Sequence, residues 1–441
     1  MNKAAALAVA ATIAVTIPAS AQMAAGTRSV AMGGGGMVFA TGVDAVEWNP
    51  ANLGWAGGWN LSVFELGAVG LGDGATIDDL GLIFGYEDGD VAGAVNGLPA
   101  SGIRFATVTE GFATSYGAKE ASIPEPGSPL PTIGLAVGPV AFRIRSRVFA
   151  NATLSKELAD LIGNGFDQQN LQNYAVGNTG WRTTSLTEYT LSYGTSIGAL
   201  SIGVGGRYVQ GHGLVDGRFF EPEIDLNNET LLIRSVAVEA QSGTGYGLDM
   251  GLSIELPAGF RLAASGTNVA QKMEWDDNLV AWTAEYTDSD FDADLDIEDF
   301  FNRFDDQPLD PNGVSLAVFE AGGELFEQSY FPQVYRGGFG WQAGGTTLEA
   351  SGIVVSPRGR FSSPWDERLS FGVEQKIPVL TVRAGYAIAQ ESLKTYTAGL
   401  GLRLGPVHVE ASGGKFSGTR TAGPWDGYYG SVGLQVKGGG L

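Results

Sequence analysis

Residues 248–256 alternate with a period of two. Leu248, Met250, Leu252, Ile254 and Leu256 fall on one face, and Asp249, Gly251, Ser253 and Glu255 on the other. That spacing predicts a β-strand with one apolar and one polar or small face. The same pattern recurs at 399–404, 407–410 and 431–437. Residues 141–148, AFRIRSRV, give its sharpest form: Phe142, Ile144 and Val148 lie opposite Arg143, Arg145 and Arg147. Three arginines on one face need partners or water, because an unpaired buried charge is very costly.

Alternation predicts sixteen strand segments, near 58–69, 101–110, 131–138, 140–152, 183–197, 199–211, 229–241, 244–256, 259–271, 329–341, 345–356, 366–376, 379–390, 394–404, 406–416 and 426–437. Several are joined by very short turns, at Gly138-Pro139, Ile377-Pro378 and Gly405-Pro406, while other connections are long. Apolar outside, polar inside, with short turns at one end and long loops at the other, is the layout of a transmembrane barrel. A secreted sandwich or propeller with its polar face in water gives the same periodicity.

Two stretches break the pattern. Residues 154–163 predict a short amphipathic helix, with Asn151 and Thr153 as candidate caps and a closing glycine. Residues 272–328 form a long insertion, read as an extracellular excursion, in which 285–310 carry eleven acidic residues against the single base Arg303. Asp288, Asp290, Asp292, Asp294, Asp296 and Asp299 occupy positions 1, 3, 5, 7, 9 and 12 of a calcium-loop frame. Ala293 stands where that frame has its turn glycine and Asp299 where it has a glutamate, so an acidic strand or helix start reads equally well.

Composition narrows the class. The chain begins with Lys3, an apolar run over 4–17 and the small residues Ala19-Ser20-Ala21, which reads as a secretory signal peptide over 1–21. The alternative, a retained anchor, needs roughly 20 apolar residues. Cysteine is absent, which excludes disulfides and thiolate metal sites. A formal charge of −22 leaves no electrostatic footprint for nucleic acid. Glycine, 67 of 441 residues, is about twice its usual share. Only His212 and His408 offer imidazoles, and neither sits in a metal-ligand or catalytic spacing, so no enzyme is expected.

Behind the leader, residues 26–53 read GTRSVAMGGGGMVFATGVDAVEWNPANL. The glycine run Gly33, Gly34, Gly35, the Asp44-Ala45 pair and the triplet Asn49, Pro50, Ala51 resemble the N-terminal hatch of the FadL superfamily of outer-membrane barrels. The spelling is closest to the branch containing PorV, the barrel partner of type 9 secretion, and to uncharacterised barrels of similar length. The chain ends Lys437-Gly438-Gly439-Gly440-Leu441, without the terminal aromatic residue usual in that superfamily.

The resemblance implies an all-β, transmembrane antiparallel barrel of about 14 strands in the bacterial outer membrane, with a lumenal hatch and a few short helices. Signal peptide 1–21, hatch 22–57 and barrel 58–441 are the expected divisions. It also implies uptake of hydrophobic small molecules, long-chain fatty acid-like, without a resident cofactor apart from the calcium candidate. Outer-membrane lipid and the substrate are then the partners. The alternatives are a secretion-system partner and a structural or adhesive barrel. Arg143, Arg145 and Arg147 read as lumen residues paired with acids or, less simply, as receptors for an anionic head group. Trp48, Trp55 and Phe64 are candidates to line a path, with core or aromatic-girdle positions the simpler reading for each.

If the acidic frame holds calcium, chelation will raise protease cleavage within 285–310. Limited proteolysis with and without chelator measures this, and unchanged cleavage removes the site.

Overall fold

A computed structural model describes residues 26–73, 102–111, 131–164, 179–219, 230–240, 242–275, 279–288, 333–356, 367–389, 393–420 and 423–439, with short pieces at 93, 96–98, 223–225 and 305–308. The strands form one closed antiparallel barrel with fourteen places around its wall. The first five places hold β1 (Trp59–Asp73), then β2 (Ile103–Glu110) and β3 (Ile133–Val137) sharing one place, then β4 (Val140–Leu154), β5 (Gly180–Ile197) and β6 (Leu200–Phe219). The wall continues through β9 (Gly243–Glu255), β10 (Phe260–Trp275), β13 (Gln333–Ala343), β14 (Thr346–Ser356) and β15 (Arg368–Lys376). It ends with β16 (Leu380–Ala389), β17 (Lys394–Leu404), β18 (Val407–Arg420) and β19 (Gly423–Gly438), and β19 pairs with β1 to close the ring.

The sixteen expected strands are all present, and fourteen places hold them for two reasons. First, β2 and β3 both pair with β1 and both with β4, so they are one wall strand interrupted at 111–132. Gly111 N bonds Ser146 O at 2.8 Å and Thr132 N bonds Glu65 O at 3.2 Å, so chain leaves and rejoins the ladder at adjacent rungs. Second, β8 (Thr230–Ala240) pairs with β6 beyond β9 and belongs to an extension at the long-loop end. That extension includes β7 (Glu223–Asp225), β11 (Leu279–Asp288) and β12 (Asp305–Pro308). The stretch expected to lack alternation therefore carries strands: β10 runs on to Trp275, and β11 pairs along β8.

The expected helix spans Lys156–Asn164. Its cap differs from expectation. Asn151 and Thr153 remain in β4, and Ser155 Oγ accepts from Leu158 N at 3.1 Å. A cap must leave its own backbone outside the helix with a side-chain oxygen facing the first turn, and only Ser155 stands there. The calcium frame lies outside the described residues, apart from Asp288 at the end of β11.

The short turns lie at one end. Gly138 and Gly405 turn there with φ of 53° and 66°, a left-handed conformation that glycine adopts without a steric cost. In transmembrane barrels this end is periplasmic. Outward residues are apolar and open, as Leu400 (55% exposed) and Ile202 (47%) illustrate. Tyr208, Tyr335 and Tyr396 each lie outward, eight residues from the short-turn end of their strands, and Tyr246 lies nine away. Eight tilted residues rise about 20 Å, close to the roughly 25 Å apolar band between the two aromatic girdles of such barrels. Trp59, Tyr193 and Phe260 mark the lower rim.

Leu400→Arg on this outer face is expected to destabilise the barrel by about 2–4 kcal/mol. Thr397→Arg, on the inward face, lacks that lipid penalty and is expected to act instead by crowding the hatch. Urea unfolding in lipid vesicles separates the two, and equal m-values with equal midpoints would contradict the assignment of faces.

Candidate functional site

The lumen is occupied by residues 26–58. The segment is built from a short helix, Thr27–Ala31, a glycine turn, a second helix, Val43–Trp48, and a 3-10 turn, Pro50–Trp55. Gly33 and Gly34 have φ of 76° and 75°, which lets the chain reverse between the helices. Most of the segment is buried, and Thr41 and Gly57 are its exposed residues.

The geometry of Asn49-Pro50-Ala51 has a direct physical purpose. Asn49 caps the 3-10 turn by accepting from Ala51 N at 3.1 Å, and its amide donates to Ser253 Oγ at 2.9 Å. Ser201 Oγ donates to Ala51 O at 2.5 Å. The wall beside the triplet is bare backbone. A Cβ on Gly251 would come 2.0 Å from Asn49 Oδ1, and one on Gly203 would come 2.3 Å from Ala51 N. Similar contacts set Gly385 against Gly33, Gly338 against Val38 and Gly399 against Ala31. The glycine excess is thus partly a seat carved for the hatch.

The three predicted arginines all point into the lumen and all are buried. Arg143 reaches Glu65 at 3.0 Å and Glu110 at 3.1 Å. Arg145 reaches Glu110 at 2.9 Å, and Arg147 reaches Glu188 at 2.5 Å. Arg207 on β6 joins the same network, bonding Glu188 at 2.9 Å and Asp249 at 2.8 Å. These four arginines and four wall carboxylates balance one another, the paired arrangement expected of them. Sequence reading did not single out Arg207 or the acids; period-two alternation marks each as inward but cannot say which strands are neighbours.

The hatch adds its own charges. Glu47 stands 2.9 Å from Arg145 Nη1 and 3.6 Å from Arg207 Nη1. Burial works against its charged form, yet Arg145 and Arg207 outweigh it and hold Glu47 well below the usual carboxylate range. Arg28 pairs with Glu374 at 3.1 Å. Asp44 has the opposite balance: burial raises its pKa above the ordinary value, and Lys437 and Arg143 only partly offset it.

Above this belt, towards the long-loop end, the inward row changes character. On β13 it passes from Arg336 to Val334, and on β14 from Glu349 through Ser351 to Ile353 and Val355. On β16 it passes from Arg383 through Gly385 to Ala387 and Ala389. Val69, Phe416 and Tyr429 complete the far side, and Tyr429 Oη donates to Val30 O of the hatch at 3.1 Å. Trp48, Phe39 and Val38 of the hatch pack into the same apolar level. Trp48 is therefore lumenal, and Trp55 packs beneath Arg261, whose Cζ lies 4.3 Å over its ring. Phe64 is not: it pairs with Leu434 on the outward face, because a bulge after Ser62 shifts the alternation. His212 also occupies a bulge and meets Thr187 Oγ1 at 2.7 Å.

No protein-family profile matches the chain, and no curated protein resembles it in sequence. Solved structures do resemble it. The Ralstonia pickettii toluene transporter TbuX aligns with a TM-score of 0.53 at 16% identity, covering 95% of this chain and 99% of that one. A TodX monoaromatic hydrocarbon channel lacking S2 and S3 aligns at 0.56 and 13% identity, covering 94% and 99%. The CymD monoaromatic hydrocarbon channel aligns at 0.50 and 12%, covering 96% and 100%. The fold is that of the FadL-like outer-membrane barrels. These FadL-like neighbours are described as transporters and channels, not enzymes.

Arg207→Met leaves Asp249 buried without its guanidinium and is expected to destabilise the FadL-like barrel by about 3–5 kcal/mol. Adding Asp249→Leu should recover much of that loss. Denaturant titrations of both variants in detergent measure it, and additive losses would argue against the pairing.

Proposed function

We propose that the protein carries hydrophobic small molecules inward across the bacterial outer membrane, with the hatch as a movable gate. The carrying observation is the change in the lumen wall from a charged, glycine-seated belt around the hatch to an apolar collar above it. A molecule arriving from the long-loop side meets Val334, Ile353, Val355, Phe416 and the hatch's own Trp48. Burying apolar surface there is favourable by roughly 25 cal/mol per Å², which gives such solutes a resting place before the hatch. A sugar or an ion gains nothing from the same lining.

The toluene transporter and the monoaromatic channels that share this fold favour the same reading by analogy. Long-chain fatty acid-like molecules fit within it, since a linear chain can lie along the collar. Membrane lipid surrounds the outward apolar band. Beneath the collar the hatch must shift, because side-chain hydrogen bonds and ion pairs tie it to strands on opposite sides of the lumen. The reading as a secretion partner draws on loop surfaces instead, and no described residue favours it over transport.

The test introduces charge into the collar. Ile353→Asp combined with Val334→Asp should lower uptake of a radiolabelled aromatic hydrocarbon and of dodecanoate by about tenfold in expressing cells. The variant barrel should still resist trypsin and migrate as folded on unheated gels. Unchanged uptake of both probes would overturn the proposal, and stable co-purification of secreted protein would favour the alternative.

A further inference from the structure

Strand β19 closes the ring on β1, and the inward face of that seam is short of side chains. The rung of Glu65 with Gly433 and the rung of Gly67 with Ser431 each lack one. Glycine weakens a strand, because it has no side chain to pack and loses the most freedom on ordering. The hatch fills the gap. Thr27 N and Thr27 Oγ1 both donate to Glu65 Oε1, the hydroxyl at 3.2 Å. A Cβ on Gly433 would come 3.1 Å from the same hydroxyl. Thr27 therefore lies across one rung, with β1 on one side and β19 on the other.

Two further hatch residues bridge the seam. Towards the long-loop end, Tyr429 Oη of β19 donates to Val30 O at 3.1 Å, at the rung that Tyr429 shares with Val69 of β1. Towards the short turns, Val43 N donates to Asn60 Oδ1 of β1 at 2.9 Å, and Asn60 Nδ2 donates to Gln435 Oε1 of β19 at 3.4 Å. Thr27, Val30 and Val43 thus staple the seam at three levels, and all three are buried. The chain enters the wall at the same place. Gly58, with φ of 73°, leads from the hatch into β1, and a Cβ there would come 2.2 Å from Gly438 O. The remainder of the hatch is held by other strands: Ser201 of β6, Ser253 of β9 and Thr397 of β17 all bond it.

We propose that the hatch is also a closure template: it seats on the middle strands first and offers β19 a ready edge, so the barrel shuts around its plug and never empty. β1 and β19 lie at opposite ends of the chain, and pairing them directly carries the loop-closure cost of the whole barrel. A hatch seated on β6, β9 and β17 and joined to β1 through Gly58 keeps β1 beside the incoming strand. That raises the effective concentration of one edge for the other. On arrival β19 gains hatch hydrogen bonds in addition to its ladder. The glycine-lined strands gain the packing they lack alone. This role concerns assembly and is independent of the transport reading, so a barrel inactive in uptake would still show it.

Refolding of the full chain from urea into lipid vesicles is followed by the mobility of unheated samples on gels, which reports the closed barrel. Thr27→Val combined with Tyr429→Phe removes two hydroxyl donors at the seam with little change in volume. Closure is expected to slow by about fivefold and unfolding to change by less than about twofold, as for contacts formed when the seam forms. Unfolding accelerated by about fivefold with closure unchanged would mean that the hatch docks after the barrel is shut, and would overturn the proposal. A second measurement needs neither substitution. The chain has no cysteine, and Val46 in the hatch is 1% exposed, so Val46→Cys supplies one thiol for maleimide pulses during refolding. That thiol is expected to become protected no later than the closed form appears. A closed barrel that still labels at the unfolded rate would overturn the template.

Discussion

A closed barrel in lipid has one constraint from which the others follow: the row facing outward must be apolar, so everything polar in the strands is turned inward. Here that inward row carries arginines and carboxylates on adjacent strands, and they can be buried only because each finds its opposite across a rung. Arg145 with Glu110 and Arg207 with Asp249 are bonds between strands far apart in sequence. The network therefore does more than neutralise charge. It fixes which inward rows meet, and it gives the hatch a wall of defined polarity to dock against.

Docking uses two kinds of surface. On the β6 and β9 side the wall is reduced to backbone, and Asn49, Pro50 and Ala51 sit in the space that side chains would take. Packing at that distance is unforgiving, since even one added carbon there must displace backbone. On the β4 side the contact is electrostatic, through Glu47, and on the β15 side through Arg28 to Glu374. Buried ion pairs contribute little net stability, so the glycine seat rather than the charges holds the resting position.

Much of this was legible in the sequence. Alternation located the strands, and the 141–148 segment separated its arginine row from its lipid row. The Asn49-Pro50 turn and the glycine run could be picked out because they are local. What escaped was non-local. Two segments sharing a wall place, as β2 and β3 do, cannot be told from two strands by periodicity. Bulges at Ser62 and His212 shift the alternation along their strands, which is why Phe64 lies outward where uninterrupted alternation would turn it inward. Arg336 was not singled out either, because a lone inward arginine says little until the strands beside it are known.

The three-arginine row concentrates positive charge in one part of the wall, yet it is no receptor for an anionic head group. Concentrated charge in a barrel wall is folded with its counter-ions in place, and a ligand would have to displace a hydrogen-bonded carboxylate to enter. The carboxylates that hold the row are themselves buried, so the row is framework for the wall and for the segment docked against it rather than an open receptor.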